Sequence, residues 1–252
     1  MTELDTIAAA NNAVKTRHGA TRHGVARMAK DESLWLDKGA PTGLESGGDS
    51  SAVVIGVLAL QGDFAEHAHM LQQCGAKTRL VRRAVELDGV DGLVIRGGES
   101  TTIAKLTGNT SDPLFEAIIE RARTGMPVYG TCMGMIFLAR DIEGSAQGRL
   151  ALMDIKVRRN AFGPQIASRQ EQVIIDELGP EPFPVVFIRG PIILECAPHV
   201  QVYAAVTEGI VMCRQDNLLA TAFHPEITDD LRVHRYFVSM VKAHARLTSA
   251  LD

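Results

Sequence analysis

The sequence predicts an α/β fold with three layers, in which a mostly parallel sheet is flanked by helices. Two observations support this prediction. Between residues 53 and 140, short apolar runs alternate with helical patterns, as expected for βαβ units. The first run, Val53–Leu60, is almost continuously apolar, which is typical of a strand buried on both faces of a parallel sheet.

The first half of this region alternates strictly. A helix is predicted over Asp63–Gln73, because Gly75 stands just past its end as a C-terminal stop. The elements that follow are the strands Thr78–Val81 and Gly92–Ile95, the helix Leu114–Arg123, the strand Val128–Tyr129 and the helix Met133–Arg140. This order favours parallel strands joined by crossover helices.

The second half is mainly strand-like. Its predicted strands are Leu150–Val157, Pro184–Ile188, Val200–Ala205, Ile210–Arg214 and Leu218–Phe223. One long helix follows, over about Asp229–Leu247. We expect Thr228 to be its N-cap, since threonine accepts a hydrogen bond from the first turn and acidic residues follow it.

Residues 1–52 differ from the rest, since they carry little apolar periodicity and end in the Gly/Ser-rich stretch Gly43–Ser51. We interpret them as a disordered extension before a single domain over 53–248. A transit peptide is disfavoured by Glu3 and Asp5. A start codon assigned too far upstream is an open alternative.

Composition excludes several classes of protein. The 252 residues carry a net charge of −4, which gives no electrostatic footprint for nucleic acid or an anionic membrane. No apolar run approaches the roughly 18–20 residues that span a bilayer. The four cysteines are scattered without a CxxC pair, so we expect no metal site and a reduced, cytoplasmic location.

A cysteine stands between a predicted strand and a predicted helix, in Gly130-Thr131-Cys132-Met133-Gly134. This is the pattern of a nucleophile elbow, in which a sharp turn exposes the nucleophile and small neighbours let strand and helix pack closely. The helix N-terminus places partial positive charge beside the sulfur and favours the thiolate. Cys132 is therefore a candidate nucleophile, and the alternative is a buried structural cysteine.

A histidine and a glutamate follow the last predicted strand, in Phe223-His224-Pro225-Glu226. If the chain stays extended through Pro225, His224 and Glu226 lie on the same side of it. A carboxylate there would hold the imidazole in one tautomer and stabilise its protonated form. The alternative is an exposed histidine at the end of a strand.

A glycine-rich loop, Gly97-Gly98-Glu99-Ser100-Thr101-Thr102, follows the predicted strand Gly92–Ile95. Its glycines permit a backbone kink that turns N–H groups toward an oxyanion, although a tight turn before a helix near Thr102–Leu106 is the alternative. All three loops follow strands of one predicted sheet, where ligands of open α/β folds bind. Together they make the constellation for acyl transfer.

The segments Gly130–Gly134 and His224-Pro225-Glu226 resemble those of the class I (triad) glutamine amidotransferases. Four further segments resemble the glutaminase subunits of pyridoxal 5′-phosphate synthase: Val57–Gly62 with Glu66-His67, Gly97–Thr102, Val157–Gly163 and Phe187–Arg189. The resemblance spans about Val53 to Val241 and implies a class I glutamine amidotransferase-like fold with a flavodoxin-like core.

The resemblance implies a role for each site residue. Cys132 would be the nucleophile, His224 the general base and then acid, and Glu226 its orienter. Glutamine would contact Gly98, Glu99, Ser100, Arg159, Ile188 and Arg189, and the amides of Gly98 and Met133 would form the oxyanion hole. An arginine suits the α-carboxylate of glutamine, which is a bidentate target.

The implied reaction is hydrolysis of L-glutamine to L-glutamate and ammonia. The ammonia would pass to a synthase partner, a (β/α)₈-barrel subunit, that makes pyridoxal 5′-phosphate. Members of the family assemble with that synthase and hydrolyse glutamine poorly without it. Pyridoxal phosphate is thus a pathway product, and no cofactor is expected.

Two positions depart from the family pattern: Arg96 stands where proline usually precedes the two glycines, and Met133 stands where alanine usually follows the nucleophile.

Three alternative functions stay open at this point. One is the glutaminase of another synthase, such as imidazole glycerol phosphate synthase. Another is a catalytically silent glutamine-binding subunit. The last is an esterase or peptidase, which Glu99 and Arg159 disfavour.

Overall fold

The structure is a computed structural model, and it describes residues 52–60, 64–97, 112–162 and 168–250. The described helices are α1 (Ala65–Gln73), α2 (Pro113–Arg123), α3 (Met133–Leu138) and α4 (Arg232–Ser249). The strands, in chain order, are β1 (Val54–Leu58), β2 (Lys77–Val81), β3 (Gly92–Ile95), β4 (Val128–Thr131), β5 (Ala139–Ile142), β6 (Met153–Arg158), β7 (Ser168–Ile175), β8 (Gly179–Ile188), β9 (Ile192–Cys196), β10 (Gln201–Val206), β11 (Gly209–Gln215) and β12 (Leu218–Thr221).

Ten strands of the described chain form one sheet, in the order β2-β1-β3-β4-β12-β11-β9-β6-β5, with β10 paired to β11. The five strands from β2 to β12 in this order run parallel to one another. Beyond them, β11 and β9 introduce antiparallel pairs. A separate hairpin of β7 and β8 makes a second, two-stranded sheet. The predicted mostly parallel α/β fold is therefore confirmed.

Helices cover both faces of the parallel strands, and β4 shows why. Tyr129 packs against His67 of α1 and Phe237 of α4, so these helices lie on one face. On the other face, α2 and α3 meet through the rings of Phe115 and Phe137, 5.3 Å apart. Because strand side chains alternate, Gly130 turns toward α3 while its neighbours turn toward α1. The three predicted layers follow from this alternation.

Several predicted boundaries after β4 were wrong. The predicted helix Met133–Arg140 ends at Leu138, because the chain becomes extended at Ala139 and pairs with β6 as β5. The sequence reading also missed β7 and β9. The domain bounds 53–248 stay a prediction. The predicted extension up to residue 51 and the short helix near Thr102–Leu106 lie outside the described residues.

The predicted N-cap at Thr228 was also wrong. The helix begins at Arg232, after a 3₁₀ turn over Pro225–Ile227 that ends at Thr228. The Thr228 hydroxyl donates to the carbonyl of Pro225 at 2.8 Å, and it accepts from the amide of Asp230 at 3.3 Å. Asp230 then accepts from the Arg232 amide at 3.0 Å, which makes aspartate the group that satisfies the helix start.

Candidate functional site

Cys132 lies on a strained turn between β4 and α3. Its backbone has φ 50° and ψ −104°, a region that a residue with a Cβ adopts only at a free-energy cost of about 1–3 kcal/mol. The Cys132 amide donates to the carbonyl of Thr221 at 2.7 Å, which ties the turn to the end of β12. The geometry is that of the predicted nucleophile elbow, and the alternative of an ordinary buried cysteine does not explain the strain.

Two glycines make this turn possible. A Cβ added to Gly134 would lie 1.9 Å from the carbonyl oxygen of Ile95, at the end of the neighbouring strand β3. A Cβ added to Gly130 would lie 2.6 Å from the backbone of Gly134. Since a real Cβ cannot approach so closely, only glycine lets α3 start this near the sheet.

His224 and Glu226 are hydrogen-bonded to each other beside the elbow. Nδ1 of His224 lies 2.7 Å from Oε1 of Glu226, and their side chains are 12% and 5% exposed. The predicted pairing of the two residues occurs, but not through the predicted extended chain. Pro225–Ile227 form a 3₁₀ turn, and that turn swings the carboxylate back toward the imidazole.

The electrostatics of the pair favour charged forms. Burial lowers the pKa of His224, but interactions with Cys132 and Glu226 outweigh it and raise the pKa to about 10. Burial likewise opposes ionisation of Glu226, yet His67 and His224 lower the pKa of its carboxyl to about 2. The Nε2 atom of His224 is buried and has no standard hydrogen bond within the described chain. An imidazolium beside a carboxylate and a sulfur is therefore the favoured state.

The glycine-rich loop begins next to these residues. A Cβ added to Gly97 would lie 2.8 Å from Cε1 of His224 and 3.3 Å from Cβ of Cys132, so the Gly97 backbone lies close against both side chains. The Gly97 amide donates to Oγ1 of Thr131 at 3.1 Å. The predicted site residues Gly98, Glu99 and Ser100 lie outside the described residues.

The remaining predicted site residues lie on two adjoining loops. The backbone carbonyl of Ile188 is 4.0 Å from Sγ of Cys132. The next residue, Arg189, has an exposed side chain and a backbone φ of 47°. The loop after Arg159 joins this segment, because the amide of Ala161 donates to the carbonyl of Gly190 at 3.0 Å. Nη1 of Arg159 also donates to Gln147 at 2.9 Å. Met133 is the first residue of α3, where a helix leaves its amides without intrahelical acceptors.

The sequence reading missed a buried group of polar side chains behind the pair. His67 is fully buried, and it lies against Glu226, Thr131 and His234. The signal was present, since Glu66-His67 is one of the segments that carry the resemblance, but nothing in the sequence showed what His67 contacts.

A cleft of about 680 Å³ lies to one side of the site, between the β7–β8 hairpin and the start of α4. Gln170, Pro184, Ile227 and Arg235 are among its lining residues. It contains none of Cys132, His224 and Glu226, so it is not where the reactive groups converge.

Two further observations concern the part of the chain that the structure describes. It contains no helix that is long and apolar enough to cross a membrane. It also contains no group of three or more histidine, cysteine, aspartate or glutamate side chains arranged to hold a metal ion. The four cysteines all lie in this part and carry free thiols.

Comparison with known proteins shows the family directly. The model of the SNO glutamine amidotransferase family matches residues 57–243. The chain belongs to this family. The match starts within β1 and ends within α4, so the family domain takes in β4, β12 and the loops that follow them. Residues 1–51 lie outside the match, as they lay outside the resemblance.

Relatives of known sequence extend the comparison for this SNO-family chain. It is 54% identical over 187 residues to a pyridoxal 5′-phosphate synthase subunit PdxT of Carboxydothermus hydrogenoformans, covering 74% of this chain and 97% of that protein. It is 51% identical over 190 residues to a PdxT of Desulforamulus reducens, covering 75% and 100%. The resemblance to this kind of glutaminase subunit is thereby confirmed.

Solved structures agree on the fold. A crystal structure described as a glutamine amidotransferase has a TM-score of 0.69 and 40% identity, covering 74% of this chain and 98% of that one. The structure of PurLQS from Thermotoga maritima has a TM-score of 0.53 at 14% identity, covering 79% and 99%. The second likeness shows only that the fold is shared.

Proposed function

We propose that this chain is the glutaminase subunit of a pyridoxal 5′-phosphate synthase. It hydrolyses L-glutamine to L-glutamate and ammonia with a triad of Cys132, His224 and Glu226, and it passes the ammonia to a partner synthase subunit. Membership of the SNO family and the PdxT relatives support the overall activity. The assignment of the chemistry to these three residues is our inference from their geometry.

One observation carries that assignment. Cys132 sits on a strained elbow immediately beside an imidazole that is held at 2.7 Å by a buried carboxylate. Strain of this kind persists where the surrounding structure enforces it, and it is found at active sites. A nucleophile, a base and a group that orients the base are together the requirement for covalent acyl transfer.

In the first half of the reaction, the sulfur of Cys132 attacks the side-chain amide carbon of glutamine and forms a tetrahedral oxyanion. The oxyanion collapses as the carbon–nitrogen bond breaks. His224 gives its Nε2 proton to the leaving nitrogen, so ammonia departs as a neutral molecule. A glutamyl thioester remains on Cys132, and His224 is left neutral.

In the second half, His224 takes a proton from a water molecule, which attacks the thioester carbon. The carbon–sulfur bond breaks, glutamate leaves, and the sulfur and imidazole return to their starting states. Glu226 keeps Nδ1 of His224 protonated throughout, so that Nε2 is the nitrogen that exchanges protons.

We place glutamine against the loops that converge at Cys132. The amides of Gly98 and Met133 would hold the oxyanion, and each donor is worth roughly 10²–10³ in rate. Glu99, Ser100, Arg159, Ile188 and Arg189 would hold the rest of the substrate. The carbonyl of Ile188 near the sulfur and the hydrogen bond that joins the Arg159 loop to Gly190 support this placement.

The partner would be a (β/α)₈-barrel synthase subunit that uses the ammonia. We further propose that the glycine-rich loop adopts its catalytic geometry only when the partner docks. Glutamine hydrolysis would then depend on the partner. A cytoplasmic location and a disordered extension over residues 1–52 stay predictions from the sequence.

The test is glutamate release from glutamine by the purified chain, with and without the synthase encoded by the same genome, alongside Cys132→Ala. We expect release to rise sharply with the synthase and to vanish in the variant. If wild-type protein binds glutamine but releases none under either condition, the chain only binds glutamine without hydrolysing it, and the proposal fails.

A further inference from the structure

A second histidine lies directly behind the proposed triad. Nε2 of His67 is 3.4 Å from Oε2 of Glu226, the carboxylate oxygen that does not face His224. The same nitrogen lies 3.3 Å from Oγ1 of Thr131. His67 is 0% exposed, so these contacts are shielded from bulk solvent. The orienting carboxylate thus stands between two imidazoles, one on each oxygen.

The neighbouring groups favour a proton on Nε2 of His67. Oε2 of Glu226 is buried and has no hydrogen-bond donor at standard geometry in the described chain, so His67 is the group placed to supply one. With the proton on Nε2, the other nitrogen must accept. Nδ1 of His67 lies 3.0 Å from Nε2 of His234, which can donate to it. The opposite tautomer would turn a lone pair toward the carboxylate.

Burial disfavours the charged form of both rings. Burial lowers the pKa of His67 and outweighs the raising effect of Glu226, and burial together with His67 lowers the pKa of His234 to about 3. The charged or titratable groups facing His67 come from every neighbouring element: Glu226 and His224 after β12, Arg96 after β3, His234 of α4 and Tyr129 of β4. A neutral ring can act as a fixed donor over a wide pH range.

His67 also reaches the other half of the site. Thr131 directly precedes Cys132, and its hydroxyl oxygen accepts from the Gly97 amide at 3.1 Å while it contacts Nε2 of His67. Gly97 in turn lies close against the side chains of Cys132 and His224. One buried side chain on α1 therefore touches the orienting carboxylate and the threonine that fixes the start of the glycine-rich loop.

We infer that His67 is a positioning residue for the proposed glutaminase reaction. It donates a hydrogen bond from Nε2 to Glu226 and is held in that tautomer by His234. It thereby fixes the position of the Glu226 carboxylate relative to the hydrogen bond between Thr131 and Gly97. This inference rests on the proposed function. It goes beyond the triad because it assigns a fourth side chain, from a different helix, to the alignment of the reacting groups.

The kinetic test compares three variants in complex with the synthase. His67→Phe keeps a planar ring but removes the donor, and we expect kcat to fall by up to about 100-fold with little change in KM, since misalignment of reacting groups affects the chemical step. The acid limb of the pH profile of kcat/KM should move to higher pH, because a buried carboxylate with one donor fewer is protonated more easily. His67→Gln restores an N–H donor and should recover part of kcat and the acid limb.

The matched control is His69→Phe, two residues along α1, where the side chain is exposed and forms a hydrogen bond with Gln73. Its kinetics should equal those of wild type. A loss in His67→Phe that appears only as a lower melting temperature, with an unchanged pH profile and no recovery in His67→Gln, would make His67 a purely structural residue and overturn the inference.

The tautomer gives a test that needs neither activity nor a mutation. In full-length protein with ¹⁵N-labelled histidines, the imidazole shifts of His67 should show a neutral ring protonated on Nε2 at pH 7 and above, since burial lowers its pKa below the ordinary value. A ring protonated on Nδ1 would overturn the inference even if the enzyme is active. If wild-type protein and synthase release no glutamate, the proposed function fails, and the spectrum still decides whether His67 is the donor to Glu226.

Discussion

At the scale of single residues, Cys132 combines strain with a charged neighbour. Its backbone lies at φ 50°, and the raised pKa of His224 reflects the presence of the sulfur and of Glu226. Both are consistent with a nucleophile held ready for attack.

Cys132→Ser should retain the fold and lose the reaction. The hydroxyl fits the same space, but it is a far weaker nucleophile than a thiolate at neutral pH. We expect glutamate release in the presence of the synthase to fall by roughly 10³-fold or more. The far-UV circular dichroism spectrum should not change. A serine variant with activity within tenfold of wild type would contradict the assignment.

Glu226→Gln should change His224 in a way that can be measured without turnover. The neutral amide no longer stabilises the imidazolium, so the pKa of His224 should fall from about 10 toward the ordinary range. Activity should fall by roughly 10²–10⁴, because the amide also fixes the wrong tautomer. Imidazole NMR titration is the measurement, and an unchanged His224 pKa would show that the carboxylate does not hold it.

At the scale of elements, the residues that the sequence placed well are those with strong local signals. The apolar runs of β1 and β3 and the glycine after α1 predicted their elements to within a few residues. The strand β7 was missed because its residues Ser168–Gln172 are polar on both faces, as a hairpin outside the main sheet permits. The strand β5 was missed because it follows the apolar helix α3 without a break.

The tight turn at Cys132 predicts that alanine substitutions at two glycines differ in how much they destabilise the protein. Gly134→Ala would press a Cβ against the backbone of Ile95 and should destabilise the protein by roughly 3 kcal/mol or more, or prevent folding. Gly75→Ala, at φ 81° with open space around it, should cost only about 1 kcal/mol. Urea unfolding of both variants is the comparison. An equal loss of unfolding free energy in the two variants would mean that α3 does not pack closely against the end of β3.

Helix α4 predicts a dependence of stability on pH. His234 is buried with a pKa lowered to about 3, so it stays neutral in the folded chain while the unfolded chain binds a proton below about pH 6.5. Its contribution to stability is therefore present above pH 6.5 and is lost as the pH falls toward 3. The loss between pH 7 and pH 5 should be about 2 kcal/mol.

His234→Gln should flatten that dependence, since glutamine does not titrate. The comparison is the free energy of unfolding in urea at pH 7 and pH 5, with the exposed His69→Gln as control. If the variant loses as much stability as wild type between these two values, His234 is not buried neutral in the folded chain.

At the scale of the whole molecule, the sheet order explains why separate loops form one site. Strands β3, β4 and β12 are adjacent and parallel, so the loops that follow them meet at one edge. The sequence predicted this convergence from the three motifs. It could not predict that a 3₁₀ turn, rather than an extended chain, brings Glu226 to His224.

The contact of His67 with Glu226 lay beyond sequence reasoning for a physical reason. The two residues belong to α1 and to the turn after β12, and only the packing of α1 on the parallel strands brings them together. Local periodicity places His67 on a helix but does not show which buried polar group it meets. Long-range contacts of this kind depend on the assembled core.

The most direct test of the central claim is to trap the covalent intermediate. The chain and its synthase would be mixed with glutamine, quenched in acid during turnover and digested for mass spectrometry. We predict a glutamyl group on the peptide that contains Cys132, with Cys74, Cys196 and Cys213 unmodified as internal controls, and no adduct in Cys132→Ala. Release of glutamate without any adduct on Cys132, undiminished in Cys132→Ala, would contradict the account.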